Sequence, residues 1–298
     1  MLLVLGATSQ PARDLPPTYA CARTVAKIQI DGALDDAAWD SAGWTEDFID
    51  IVGTSKPPPA HRTRAKLLWD EQFLYVAAEM IEPRVEATIR QRDKQLYTEQ
   101  AFELFLDLGA DGRNYLELQI NPLNTVCDLA MDRPYRKNGK ASVAFDLDGL
   151  RCAGRVQGTV NDASDADGGW TIELALPWAD IKALSDDTVA PPREGQRWRA
   201  NFARMRPDDA QHREAAEARR ELSVWSAQGA INLHLPERWG WVEFVAAKPA
   251  DANRADANRA DVSSRRRKAQ RAKCWRLRSR REAVKVERDA CLFRLPPL

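Results

Sequence analysis

Two short runs place polar side chains at strand-like spacing. "AFELFLD" (101–107) holds Glu103 and Asp107, and "YLELQIN" (115–121) holds Glu117, Gln119 and Asn121. Side chains along a β-strand alternate between the two faces of its sheet. Phe102, Leu104 and Leu106 therefore share one side of the first run, and Leu116, Leu118 and Ile120 share one side of the second. The intervening "GADGRN" reads as a hairpin loop. If the aliphatic sides meet a core together, the opposite face collects Glu103, Phe105, Asp107, Tyr115, Glu117, Gln119 and Asn121. One reading is a solvated outer sheet face. A second is a saccharide site, in which aromatic rings stack on the C–H faces of a sugar while carboxylates and amides take its hydroxyls. A third is glycoside hydrolysis, which needs two carboxyls at a set separation; Glu99, Glu103, Asp107 and Glu117 are the raw material.

Other constellations are weaker. The loop "NDASDADGG" (161–169) offers Asp162, Asp165 and Asp167 as oxygen ligands for calcium, without EF-hand spacing. His61, His212 and His234 are too scattered to specify zinc. The five cysteines, Cys21, Cys127, Cys152, Cys274 and Cys291, are odd in number and form no CxxC pair. They read as buried thiols. A haem held between sheets would draw its axial ligand from Met80, Met131, Met205 or His234, but no CxxCH is present. Neither GxSxG nor a glycine-rich phosphate loop occurs. "AINLHLPERWGWVEF" (230–244) concentrates His234, Trp239 and Trp241. The two tryptophans alternate with Gly240 and Val242, the pattern of a strand that plugs a core. Trp239 and His234 are nevertheless carried as candidate ligand contacts.

The elements that must position these residues are mostly short and alternating. "KIQI" (27–30), "RAKLLWD" (64–70), "FLYVAAEM" (73–80), "WTIELALPW" (170–178), "RWRANFARM" (197–205) and "WGWVEFVA" (239–246) read as strands. "LDDAAWDSAG" (34–43) and "WADIKALS" (178–185) read as short helices. The predicted class is all-β: an antiparallel β-sandwich, jelly-roll-like, with one or two short helices. Charge divides the chain. Residues 251–298 hold fifteen Lys or Arg against six Asp or Glu, and the first 250 hold twenty-nine against thirty-eight. An acidic body gives no reason to expect nucleic acid or anionic lipid as its partner, and the basic tail could attract either only without specificity. Residues 248–298, with the repeat "DANRADANRAD", read as a basic, low-complexity, disordered tail. No run approaches the ~18 apolar residues of a membrane span. Residues 1–18 read as the remnant of a secretory signal, so the protein is expected to be secreted or periplasmic, and monomeric.

Six stretches, in order, resemble the family 9 carbohydrate-binding modules: "IDGALDDAAWDSAGWTEDFIDI", "TRAKLLWDEQFLYVAAEM", "AFELFLDLGADGRNYLELQINPLNT", "GWTIELALPW", "WRANFARM" and "LHLPERWGWVEF". The resemblance spans residues 19–247. It implies a β-sandwich that binds mono- or oligosaccharides or polysaccharide chain ends without catalysis, in support of polysaccharide breakdown. No cofactor is required, and some members hold structural calcium. By position it assigns Tyr97 as the first stacking aromatic, Glu103 as the hydroxyl-binding acid, and Gln119 and Asn121 as polar contacts. The family's second stacking Trp has no counterpart here, and His234 is the nearest flat side chain. Asn201 and Arg204, on the strand "RANFARM", are expected to complete the polar rim.

Overall fold

The computed structural model describes residues 15–184, 189–207 and 221–247. Most of the apolar start and all of the basic stretch 248–298 lie outside the described residues, as do His212, Cys274 and Cys291. Among the described residues the chain forms thirteen strands and one α-helix. The strands are β1 (Thr18–Arg23), β2 (Ile49–Asp50), β3 (Thr63–Trp69), β4 (Phe73–Met80), β5 (Ala101–Asp107), β6 (Tyr115–Ile120) and β7 (Val126–Met131). They continue with β8 (Ala141–Ser142), β9 (Arg151–Gln157), β10 (Gly169–Pro177), β11 (Arg197–Arg206), β12 (Glu221–Val224) and β13 (Gly240–Val245). The helix α1 spans Trp178–Lys182.

Hydrogen bonds link the strands in the order β8-β7-β6-β5-β11-β13-β1-β3-β4-β10-β9, with β12 joining β11 to β2. The path curls, so inward side chains from both of its ends meet in one core. Leu67, Val76, Leu104, Leu118, Ile172, Trp198, Phe202 and Phe244 all belong to that core. The fold is the β-sandwich read from the sequence, with one correction: the sheet is mixed, not purely antiparallel. β1 lies between β13 and β3 and runs parallel to both.

"KIQI" is a second correction. Residues 27–30 form no strand. Ile28 and Ile30 instead lie over the outer side of β4 and β10, against Trp39, Tyr75 and Ala175. Backbone donors in this cover go to carboxylates rather than to a ladder. Asp36 accepts from Gln29 N–H, and the buried Glu173 accepts from Asp31 N–H, Gly32 N–H and Trp39 Nε1. Gly32 is required here, because its φ is +79° and a Cβ would lie 3.0 Å from the backbone of Gly154 and Arg155. At the other end of the chain, Gly240 permits the ring of Trp225 to press on β13: a Cβ there would come within 2.4 Å of that ring.

Candidate functional site

The β5–β6 hairpin has the register that alternation demands. Glu103 pairs with Gln119 and Phe105 with Glu117. Phe102, Leu104, Leu106, Leu116, Leu118 and Ile120 point into the main core. Glu103, Glu117 and Gln119 therefore share the outer face. Cys127 and Leu129 of β7 lie opposite Gln119 and Glu117 on one flank, and Ala203 of β11 lies opposite Glu103 on the other. The result is a carboxylate–carboxylate–amide cluster in a largely apolar frame.

Three flat rings border this cluster, each set by a different element. Tyr97 sits on a 3-10 turn, Leu96–Thr98, and its backbone N–H donates to Gln119 Oε1 at 3.1 Å. His234 comes from the loop before β13; its Nδ1 lies 2.9 Å from the Tyr115 hydroxyl and its Nε2 3.7 Å from Glu117 Oε2. Tyr135 sits on the 3-10 turn Tyr135–Lys137 between β7 and β8. It is 51% exposed, and its ring meets that of His234 edge-on at 4.7 Å. The Arg136–Glu237 ion pair, 2.5 Å, ties this turn to the loop after His234. Tyr135, a residue the sequence reading did not name, thus stands beside His234 at this cluster. The signal was the exposed Tyr in "DRPYRKNG", legible only once β7 and β8 were known to form a hairpin beside β6.

Electrostatics sets this cluster apart from an ordinary sheet face. Glu103 is only 1% exposed and Glu117 only 6%. Glu117 Oε1 accepts from Gln119 Nε2 at 2.6 Å, while Glu117 Oε2 and Glu103 Oε1 are buried without a hydrogen-bond partner. Burial, and then the neighbouring Glu117, push the Glu103 carboxyl well above the usual range. Burial pushes Glu117 up to about 7, partly opposed by the Gln119 hydrogen bond. The same dry surroundings hold His234 down to about 4. The imidazole is thus neutral at pH 7. A neutral ring that accepts the Tyr115 hydroxyl proton at Nδ1 carries its own proton on Nε2, facing Glu117.

Other site residues expected from the sequence act one step back. Asn121 is fully buried: Nδ2 donates to Ile89 O and Glu99 Oε1, and Oδ1 accepts from Leu123 and Thr125 N–H. Glu99 also accepts from Thr88 and Ile89 N–H. This network fixes the segment that carries Tyr97. Asn201 shares the outer face with Phe105, but its amide is consumed by the backbone of Ser226. Trp239 is also fully buried, 5.4 Å from Phe105 and 5.1 Å from Tyr115, with Nε1 donating to Leu233 O. Both support the loop that presents His234. Within "AINLHLPERWGWVEF", Trp239 plugs a small outer core, and His234 is the member that reaches the cluster. Trp241 lies farther along this face under Arg199, whose guanidinium is 3.7 Å from the ring centre.

Arg204 is a correction. Its register partner is Phe102, so it points to the core side, where it donates to Thr63 Oγ1 and pairs with Glu82 at 2.7 Å. Asn201 and Arg204 are three residues apart, and odd spacing in a strand puts side chains on opposite faces. The acidic loop also departs from expectation. Asp167 accepts from Val85 and Thr159 N–H, and Asp162 accepts from Ser164 N–H and Oγ. With Asp165, these residues do not converge on a point and do not fit a calcium cage. Asp93, Asp128 and Asp146 do converge within 4.8 Å. Arg92 already lies among them, 2.5 Å from Asp128, 2.9 Å from Asp146 and 3.7 Å from Asp93, so this set fits a guanidinium.

A family model described as carbohydrate family 9 binding domain-like matches residues 30–247. Endo-1,4-beta-xylanase C of Paenibacillus barcinonensis is 31% identical over 88 residues, which is 30% of this chain and 7% of that protein. The chain thus spans only a small part of that relative's length. Among solved structures, a putative carbohydrate-binding protein from Bacteroides uniformis ATCC 8492 superposes with a TM-score of 0.59 at 12% identity, covering 77% of this chain and 99% of that one. A family 9 carbohydrate-binding module from Caldicellulosiruptor kristjanssonii, in complex with cellotriose, superposes with a TM-score of 0.50 at 16% identity, covering 79% and 96%. These two likenesses concern the fold.

Proposed function

Because the chain belongs to the carbohydrate family 9 binding domain-like family, we propose that its outer face at β5, β6 and β7 binds saccharide without turning it over. The observation that carries the reading is the pair of buried, unpartnered carboxylate oxygens, Glu103 Oε1 and Glu117 Oε2, bordered by Tyr97, Tyr135 and His234. A buried acceptor without a donor is costly, about 1–3 kcal/mol for a neutral group and more for a charged one. A ligand that brings several O–H donors and an apolar ring face relieves that cost and stacks on the aromatics. Both oxygens are covered from solvent, so a ligand reaches them only if a bordering segment moves; the Tyr135–Lys137 turn is the segment proposed to do so. The pair that holds this turn is exposed, and such pairs contribute little.

Glycoside hydrolysis fits less well. It requires an acid and a base or nucleophile acting from opposite sides of the scissile bond. Glu103 and Glu117 lie side by side on one sheet face, and burial pushes both carboxyls in the same direction. The haem reading fits less well: its candidate ligands are scattered, Met80 in the main core, Met131 and Met205 in two separate small cores, and His234 against the Tyr115 hydroxyl. We assign the work of this protein to polysaccharide capture outside the cytoplasm, where such polymers are found. Among the described residues no helix is long and apolar enough to cross a membrane.

The test is isothermal titration of cello- and xylo-oligosaccharides into the full chain, with Tyr97→Ala alongside and reducing-sugar release measured on the same samples. The expected result is micromolar to millimolar affinity, weakened in the variant, with no sugar released. Sugar release that Glu103→Gln abolishes would replace this reading with hydrolysis.

A further inference from the structure

We infer that the saccharide this site prefers carries a protonated amino group, which docks against Glu103 and Glu117. This rests on the saccharide reading above and names the ligand class. Two carboxyls stand on neighbouring strands, both more than nine-tenths buried, each with an oxygen that accepts no hydrogen bond, the nearest donor to Glu117 Oε2 being His234 Nε2 at 3.7 Å. Glu103 makes neither a hydrogen bond nor an ion pair among the described residues. Among the described residues, no Arg or Lys bears on either carboxyl. Two guanidiniums of β11 come into question: Arg199 shares the outer face but lies at the Asp107 end, over Trp241, and Arg204 points to the other face and pairs with Glu82.

The groups that do face the pair are neutral or acidic. They are Gln119 and Tyr115 on β6, Cys127 on β7, Tyr97, Tyr135 and His234. Asp107 and Asp132 lie near Tyr115 and add negative charge at its end of the face. A buried charge is stable only when paired and hydrogen-bonded. A neutral sugar supplies donors and leaves the charge in place. A sugar ammonium supplies three N–H donors together with the missing positive charge, and charge-assisted bonds of this kind are roughly twice as strong as neutral ones. Burial raises both carboxyls, and an ammonium seated between them favours their ionised forms.

The experiment compares three oligosaccharides of one length and linkage that differ at a single ring substituent. These are cello-oligosaccharide (hydroxyl), its glucosamine counterpart (ammonium) and the N-acetylated counterpart (neutral amide). Each is titrated into the full chain at about 0.15 M salt, which screens long-range attraction to the acidic body. At pH 7 the ammonium sugar should bind about tenfold more tightly than either neutral sugar. At pH 5 the carboxyls are protonated and the gap should close. Glu117→Gln keeps the shape and removes a charge; within that variant the ratio of ammonium-sugar to neutral-sugar affinity at pH 7 should fall to about one, whatever happens to neutral-sugar affinity itself. Thermal unfolding of the variant checks that it folds, and Glu103→Gln serves as the second probe. Equal affinity for all three sugars, or a preference that survives both variants, overturns the inference and leaves saccharide binding standing. Absence of binding by every sugar overturns the saccharide reading itself.

Discussion

Replacing Glu117 by Gln should stabilise the protein in alkaline buffer and do nothing for it in acid. The carboxyl is 6% exposed and is raised from 4.5 to about 7 by burial. The native state therefore binds a proton that the unfolded chain has already released, and stability falls as pH rises between those two values. At about 1.4 kcal/mol per pH unit the full penalty is roughly 3 kcal/mol, reached above pH 7. Gln cannot ionise, keeps nearly the same volume, and can still accept from Gln119 Nε2. Relative to the native protein, Glu117→Gln should gain almost nothing at pH 4.5 and up to roughly 3 kcal/mol at pH 8.5. For a domain of this size that corresponds to a rise in Tm of about 6–12 °C. Denaturant and thermal unfolding of both proteins at half-unit steps from pH 4.5 to 8.5 measure the difference directly. Because Glu103 adds to the same strain, the double variant should gain less than the sum of the singles. A pH-independent offset between the two proteins, or a native protein that is the more stable at pH 8.5, would refute the claim that this carboxyl is buried without compensation.

His234 titrates in the opposite sense. Its ring is held neutral down to about 4 by burial, so native stability should be lost as pH falls from about 6.5 towards 4, and His234→Gln should flatten that limb in the same unfolding series. Tyr97→Ala and Tyr135→Ala should each weaken saccharide binding about fivefold to tenfold in calorimetry while leaving Tm nearly unchanged, since neither ring lies in the main core. Trp239→Ala should cost about 3–5 kcal/mol in denaturant unfolding, because a fully buried indole leaves a cavity between Phe105 and Tyr115. Arg204→Ala should cost about 3–5 kcal/mol by leaving Glu82 buried with only Arg206 as a cation, and neutral-sugar affinity should be unaffected because the side chain is on the other face.

Local pattern settled a good deal of this protein. Strict alternation in "AFELFLD" and "YLELQIN" determined which residues enter the core, and the observed pairing of Glu103 with Gln119 follows from it. The 3–4 hairpin and the helix after Pro177 were equally legible, because their turn residues and periodicity are local. What alternation could not supply was the partner across a gap in sequence. β1 pairs in parallel with β13, more than two hundred residues away, and nothing in "TYACAR" signals it. "KIQI" has the pattern of a strand but lies as an irregular cover: Asp36 takes the Gln29 N–H, and Glu173 on β10 takes those of Asp31 and Gly32 just after it. The same limit applies at the site. Sequence could nominate Tyr97, Glu103, Gln119 and His234 as residue types suited to sugar. Only the tertiary structure decided that Asn121, Asn201 and Trp239 brace the loops, that Arg204 turns inward, and that Tyr135 closes the ring of aromatics. A residue's chemistry is fixed by its type, but its role depends on which groups reach it first, and in a sheet those groups come from distant strands.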